Sequence, residues 1–429
     1  MNIPVIEVRV WGKRVGALAP DPRLGYYAFA YEPSWRRSGI ELAPLTMPLD
    51  ERRETFIFPN LPEATFRRLP AMFADALPDD FGNALIDAWM AEHGTTKSQI
   101  TTLDRLAYMG KRGLGALEFK PALGSHRESA APLQMKALVE EARQLVKGDL
   151  SADVHTKAAL ANIIRVGTSA GGARAKAVIA WNHATKQIRS GQFDMPPGFE
   201  PWILKFDGIG KDFELGTGGD YGRTEYAYYK MATQAGIVMS RCRLLEENGR
   251  AHFMTRRFDR EVVRAKTIKH HVQTLCAMNH LDYKQRGTHA YSQLFMTGAE
   301  LGLDDEAVRQ MFLRMSFNVM SRNYDDHTKN FSFILKEGES WELAPAYDVT
   351  HAHNPKGEWT YQHLMSVNGK FDDITRADLL AEADRFGVPG PEKLLSDIRS
   401  ALDNWAEHAK GAGLSQSKSD ELARDFLLL

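Results

Sequence analysis

The apolar residues of this chain change their period along its length, and that change bounds the fold. Near the start, "VIEVRVWGKRVGAL" alternates apolar and polar residues around a Gly12-Lys13 turn, which predicts a hairpin. "RLGYYAFAYEP", "LGALEFKP", "AKAVIAW", "QIRSGQF", "PWILKFD" and "AHFMTRRFD" predict further short strands. Two helices interrupt them. One follows Pro78, with Ala84, Ala88 and Trp89 on one side and Gly94 as its stop. The other carries the stripe Leu133, Met135, Leu138 and Ala142. From about residue 287 the spacing turns helical, and "DEAVRQMFLRMSFNVMSRN" repeats apolar residues at 308, 311, 312, 315 and 319. The last fifty or so residues read as two or three amphipathic helices. The outline is α+β, a β-rich N-terminal part and an α-rich C-terminal part with a seam near 240–265.

A length of 429 residues points to two or more lobes. The formal net charge is -1, so bulk charge marks neither a nucleic-acid coat nor a membrane surface. Cys242 and Cys276 form no CxxC and no zinc spacing, which favours free thiols in a reducing compartment. The charged N-terminus is a poor signal peptide, and no stretch approaches the ~18 apolar residues of a transmembrane helix. The expected location is the cytoplasm.

The chemistry concentrates in "NYDDHTKNFSFIL". Asp325 and Asn330 are five residues apart, and Asp348 follows eighteen residues later in "WELAPAYDVTH", across a hairpin that turns in "KEGES". A phosphotransferase needs this order. One carboxylate sits beside the incoming hydroxyl, and an amide oxygen and a second carboxylate hold magnesium against a triphosphate. A plain capped turn is the competing reading, since Asp and Asn favour turns. Lys205 lies among Ile203, Leu204 and Phe206 in a strand, where an unpaired ammonium is costly and a phosphate would serve as its partner. Its alternative is an edge-strand lysine that snorkels. Glu225 falls in the first turn of the helix "GRTEYAYYKMATQAG", as a kinase-like partner of that lysine. Gly167, Gly171 and Gly172 in "VGTSAGGARAKAVIAW" let backbone amides approach phosphate oxygens, although the spacing is neither a Walker motif nor GxGxxG and a flexible hairpin competes.

Together these motifs resemble the HipA family of bacterial serine/threonine kinases, the toxin halves of type II toxin–antitoxin pairs. "VWGKRVGAL" and "MFADALPDDFGNALID" resemble the family's N-terminal module. "TSAGGARAK", "ILKF", "RRFDR", "DDHTKN" and "APAYD" resemble its phosphate loop, nucleotide lysine, lobe connector, catalytic loop and metal loop. The resemblance implies a bilobal kinase-like fold: an N-terminal module over 1–125, the rest of the N-lobe over 126–255 and a mostly helical C-lobe over 256–429. It implies Asp325 as the catalytic carboxylate. It places ATP against Gly171, Gly172, Ala173, Arg174, Ala175 and Lys176, against Lys205, and against the connector Arg256, Arg257 and Phe258. It adds His327, Thr328, Lys329, Asn330, Tyr347 and Asp348 as nucleotide contacts, with Mg2+ on Asn330 and Asp348. Ser169 falls at an inhibitory autophosphorylation site, with Thr168 the competing hydroxyl. The implied partners are a helix-turn-helix antitoxin of HipB type, operator DNA through that antitoxin, and a protein substrate of which aminoacyl-tRNA synthetases are the family example.

Two other functions stay open on sequence. A kinase-fold enzyme acting on a small molecule or lipid would carry the same ATP apparatus. A metal-dependent hydrolase would use Asp325, Asp326, His327, Asp348, His351 and His353, at the expense of leaving Lys205, Asn330 and the glycine loop without roles.

Overall fold

A computed structural model describes residues 2–49, 52–78, 80–123, 175–191, 195, 197–207, 219–247, 249–264 and 266–429. The chain forms two compact units, both discontinuous in sequence. The first comprises 1–210, 256–273 and 334–340, and the second 211–255, 274–333 and 341–429.

The first unit opens with the expected hairpin, β1 (Ile6–Val10) against β2 (Lys13–Pro20). Its two-residue turn is Trp11-Gly12, one residue earlier than the sequence suggested. Both residues have positive φ (50° and 75°), the primed geometry that matches strand twist. β3 (Tyr27–Tyr31), β4 (Thr55–Phe56) and β5 (Glu118–Lys120) complete an antiparallel sheet in the order β4-β3-β2-β1-β5. Alternation sends Ile6, Val8 and Val10 fully into the core, where Phe29, Phe56 and Phe73 join them. Gly16 sits where β2 meets β3, and a Cβ there would lie 2.2 Å from the Ala30 carbonyl oxygen. The helix after Pro78 spans Asp80–Glu92, and Gly94 ends it at φ 77°. Its buried face is Leu85, Ile86, Trp89 and Met90, while Ala84 is exposed. The expected stripe was therefore rotated, because the larger apolar side chains gain more from burial than alanine does.

Three more strands of this unit, β6 (Lys176–Trp181), β7 (Ile188–Ser190) and β8 (Glu200–Lys205), pair antiparallel in the order β7-β6-β8. The segment after residue 255 packs through a buried cluster. Asp259 accepts from Arg257 Nε (2.8 Å) and Nη2 (2.6 Å), Arg260 Nη1 (2.7 Å) and the Gly115 amide (2.8 Å). Both guanidiniums also donate to the Gly113 carbonyl. Burial alone would raise the Asp259 carboxyl, but the two flanking arginines hold it below the usual carboxylate range.

The unit also buries a neutral imidazole, which makes its stability depend on pH. Burial lowers His271 to about 4, and Nε2 lies 3.0 Å from the Leu42 carbonyl. The unfolded chain takes up a proton near pH ~6.5, which the folded state refuses until about pH 4. This contribution is therefore complete above the unfolded value and falls by about 1.4 kcal/mol per pH unit as pH drops through that window. Urea unfolding at pH 7 and pH 5 should show the loss, and His271→Gln should flatten the slope. Equal slopes in the two proteins would exclude this imidazole as the source.

The second unit is mostly helical. Its principal helices are Tyr221–Gln234, Tyr291–Glu300, Asp305–Met320, Arg376–Arg385, Pro391–Asp403, Trp405–Gly411 and Gln416–Ala423, beside the hairpin β9 (Cys242–Glu247) and β10 (Arg250–Arg256). Asp304 caps the Asp305–Met320 helix by accepting the Ala307 amide at 2.9 Å. Every residue from Gln310 to Met320 is buried, so this helix is a core element rather than the one-faced helix its period implied. Its polar residues reach neighbouring backbone: Gln310 accepts from the Val238 amide (2.9 Å) and donates to the Gly236 carbonyl (2.9 Å). Cys242 and Cys276 are buried free thiols. No helix among the described residues is long and apolar enough to cross a membrane.

Candidate active site

The Asp305–Met320 helix leads straight into the loop expected to be catalytic, and hydrogen bonds set that loop's path. The Ser321 carbonyl accepts the Tyr228 hydroxyl at 2.6 Å. Arg322 follows in the left-handed region at φ 60°. The Arg322 carbonyl then accepts the Ala352 amide, and the Tyr324 amide donates to the Ala352 carbonyl, both at 3.1 Å. Asn323 and Ala352 thereby form a parallel bridge between the approach to the catalytic loop and the exit from the metal loop.

The two adjacent aspartates have opposite fates. Asp326 is 1% exposed. Its Oδ2 accepts the Tyr291 hydroxyl (2.8 Å) and His363 Nδ1–H (2.8 Å), and its Oδ1 accepts the Leu364 amide (2.7 Å). Asn318 supports the cluster by donating to the Tyr291 hydroxyl at 2.9 Å. The Asp325 side chain, in contrast, is 48% exposed. Anchoring one carboxylate inward presents its neighbour outward.

Asn330 is fixed by the same loop. Its Nδ2 donates to the Asp325 carbonyl at 2.5 Å, and its amide donates to the His327 carbonyl at 2.8 Å, closing a 3-10 turn over Thr328–Asn330. With Nδ2 engaged in the loop, Oδ1 is the atom that carboxamide offers to a hard cation, which takes oxygen ligands. The Thr328 hydroxyl turns inward to the Leu281 carbonyl (2.7 Å), so only its backbone remains for a ligand. The His327 ring lies edge-on to Tyr283, with Nε2 3.8 Å from Asp325 Oδ1. His327 Nδ1 is buried without a hydrogen-bond partner among the described residues, as expected of a group that meets a ligand or water. Lys329 places its ammonium 5.0 Å from the Tyr283 ring centroid.

The loop expected to hold metal is tied to this platform. Arg314 is buried and donates from Nη2 to the Ala344 carbonyl at 2.8 Å. Burial lowers its guanidinium to about 10. The Ala346 amide donates to the Val238 carbonyl at 2.9 Å. The Tyr347 hydroxyl donates to the Lys329 carbonyl at 2.7 Å and lies against the Ser332 hydroxyl, so Tyr347 joins metal loop to catalytic loop. Asp348 follows at φ 53°, a left-handed conformation costing an aspartate about 1–3 kcal/mol. Such strain persists where surrounding bonds over-determine the backbone, and it concentrates at functional sites. Asn330 Oδ1 and the Asp348 carboxylate are both oxygen donors, so the residues present suit magnesium.

The hydrolase constellation does not assemble. His351 Nε2 and His353 Nδ1 both donate to Asp425 Oδ2, at 2.9 and 3.3 Å. With Asp326 anchored inward, Asp326, His351 and His353 are all engaged by protein groups outside that constellation.

The remaining expected residues divide between the units. In the first, Lys205 ends β8, and Lys176 is the first residue of β6 directly opposite it, not part of a loop. They are 8% and 4% exposed, so Lys205 does not snorkel. Ala175 is buried beside them. The two lysines are direct cross-strand neighbours, so both chains of the pair carry a buried basic residue at this end of the sheet. Arg256 and Phe258 are half-buried, but the Arg257 side chain is taken up by Asp259 and its amide donates to the Pro201 carbonyl at 3.0 Å. The Arg257 side chain and amide are therefore engaged within the unit, which leaves its carbonyl as the group it would offer to a nucleotide. In the second unit Glu225 is 2% exposed. It is the fifth residue of its helix and so lies in the second turn, not the first. Thr168, Ser169, Gly171, Gly172, Ala173 and Arg174, and the helix expected around 133–146, lie outside the described residues.

Asp326, Tyr291, His363, Arg314 and Asp425 were not singled out from sequence as parts of the loop scaffold. Arg314 alone carried a local signal, a cation within an apolar helical repeat.

Comparison with known families places residues 6–120 in the HipA N-terminal domain and 168–410 in the HipA-like C-terminal domain. No curated protein sequence matches the chain. Among solved structures, it is similar to HipA of the Shewanella oneidensis MR-1 toxin–antitoxin system, in complex with HipB and its operator DNA. The match covers 98% of this chain and 94% of that one, with 17% identity and a TM-score of 0.66. The Helicobacter pylori proinflammatory kinase CtkA aligns over 53% of this chain and 88% of its own, with 11% identity and a TM-score of 0.34.

Proposed function

The chain belongs to the HipA family, and from that premise we propose that it is an ATP- and magnesium-dependent serine/threonine protein kinase, the toxin of a HipA/HipB-type pair. The observation that carries this reading is the divided aspartate pair: Asp326 is buried on three donors and Asp325 is presented outward, beside His327. Asp325 orients the incoming hydroxyl and receives its proton. Asn330 Oδ1 and the Asp348 carboxylate hold the magnesium ion, which when bound offsets the negative charge of the triphosphate. Lys205 is proposed to meet the phosphates, and its buried cationic strand pair with Lys176 supports that role.

The proposed partners are a small helix-turn-helix antitoxin, operator DNA through it, and a translation protein such as an aminoacyl-tRNA synthetase as phosphoacceptor. The Shewanella complex, which contains HipB and operator DNA, supports the first two. Self-inactivation through Ser169, with Thr168 as the competing site, belongs to the same proposal. Mass spectrometry after incubation with Mg-ATP tests it, and full activity of stoichiometrically Ser169-phosphorylated protein would refute it.

The deciding experiment incubates the purified chain with labelled ATP, magnesium and cell lysate. Labelled protein is the expected product. Label confined to small molecules or lipid would replace this reading by a kinase-fold enzyme of another substrate class. Asp348→Ala should raise the half-saturating magnesium concentration about tenfold or more and slow transfer with it. An unchanged metal requirement would misplace the site. Lys205→Ala should weaken ATP binding without changing the magnesium requirement.

A further inference from the structure

The segment 425–427 sits far in sequence from the catalytic and metal loops, yet it holds the outer ends of both. Asp425 Oδ2 accepts His351 Nε2–H and His353 Nδ1–H, three and five residues beyond Asp348. The Asp425 carbonyl accepts Arg322 Nε–H at 2.8 Å, three residues before Asp325. The Leu427 amide donates to the Met320 carbonyl at 2.8 Å, at the end of the buried helix. Arg322 and Asp348 are the two non-glycine residues of this stretch in the left-handed region, so the clasp spans two backbone positions that need outside support. Phe426 lies in an aromatic group with Trp405 (5.3 Å between ring centroids) and Tyr228 (6.3 Å). The hydrogen bond from His351 holds the Asp425 carboxyl below its ordinary value. The residues involved all belong to the second unit.

We infer that Asp425 is a positioning residue for the magnesium site. Its carboxylate fixes the exit of the metal loop and its carbonyl fixes the approach to the catalytic loop, and together they set where Asp348 stands relative to Asn330. Groups hydrogen-bonded to metal ligands orient them, and their loss typically weakens metal binding by about 10–100-fold; Asp425 acts one step further out, through the loop backbone, so its effect belongs at the low end of that range. The inference rests on the kinase reading, since it presumes magnesium on Asn330 and Asp348.

The test measures magnesium-dependent binding of a fluorescent ATP analogue to the full chain, together with its thermal midpoint. Asp425→Ala should raise half-saturating magnesium about tenfold. Asp425→Asn keeps an acceptor oxygen and should fall between wild type and alanine. Phe426→Ala removes ring packing but leaves the carboxylate. It should lower the thermal midpoint and leave half-saturating magnesium near the wild-type value. If Asp348→Ala shifts the magnesium dependence and Asp425→Ala does not, the inference fails and the kinase reading stands. If Phe426→Ala shifts it as much as Asp425→Ala, the segment acts through packing and the positioning role falls. If wild type binds the analogue with no magnesium dependence, both fall together.

Discussion

Asp325→Asn should yield a folded chain that binds Mg-ATP and transfers phosphate about 10²- to 10⁴-fold more slowly, the usual contribution of a positioned general base. The substitution is nearly isosteric and falls on a side chain that is 48% exposed, so the loop has no structural reason to collapse. The bonds that shape it run through the Asp325 carbonyl, which Asn330 holds, and through Asp326. The loss should therefore appear in the transfer step and not in nucleotide affinity. Single-turnover transfer, ATP titration and a thermal melt on one preparation separate these quantities. Near-normal transfer would sink the assignment of Asp325. Lost ATP binding at an unchanged melt would move its role from chemistry to binding.

The neighbouring substitution should fail in the opposite way. Asp326→Ala leaves the Tyr291 hydroxyl, the His363 Nδ1–H and the Leu364 amide without their acceptor in a buried position. Each buried donor left without its acceptor costs about 1–3 kcal/mol, because it keeps the cost of leaving water, and three are stranded together. That is a large part of a typical ~5–15 kcal/mol of total stability. Activity should vanish as well, since Asp325 is presented by a backbone that Asp326 anchors. Denaturant unfolding is the measurement. A variant within ~1 kcal/mol of wild type would show that other contacts hold the loop. The contrast between positions 325 and 326 is the sharper check, one substitution silencing a stable protein and its neighbour destabilising it.

Much of the architecture was legible in residue order because it rests on local physics. Alternation over 6–20 specified a hairpin, since a β-strand sends successive side chains to opposite faces. The 308–319 repeat specified a helix for the corresponding reason. Motif spacing also located the polar loops, because Asp325, Asn330 and Asp348 lie on either side of a short turn that holds Gly338 at φ 84°. Where local physics was indifferent, the reading drifted. The hairpin turn moved by one residue to Trp11-Gly12, and the buried face of the Asp80–Glu92 helix turned away from Ala84.

The roles within the loop were another matter. Spacing to Asn330 and the family resemblance single out Asp325 in "DDHTKN", but nothing in that run shows how the two aspartates differ in burial. What distinguishes them is Tyr291, His363 and Leu364, thirty-five to thirty-eight residues away along the chain. Arg257 reads as a connector residue until Asp259 and the Gly113 carbonyl turn it inward. His351 and His353 read as metal ligands until Asp425, more than seventy residues on, takes both. Spacing along a chain reports which groups can share a strand or a turn. It carries no record of which buried donor will arrive from elsewhere, and burial makes that arrival decisive, because a polar group removed from water must find its partner inside the protein. The sequence by itself determined the elements and the order of the candidate residues; only the tertiary structure decided that Asp326 is buried on protein donors while Asp325 stays exposed.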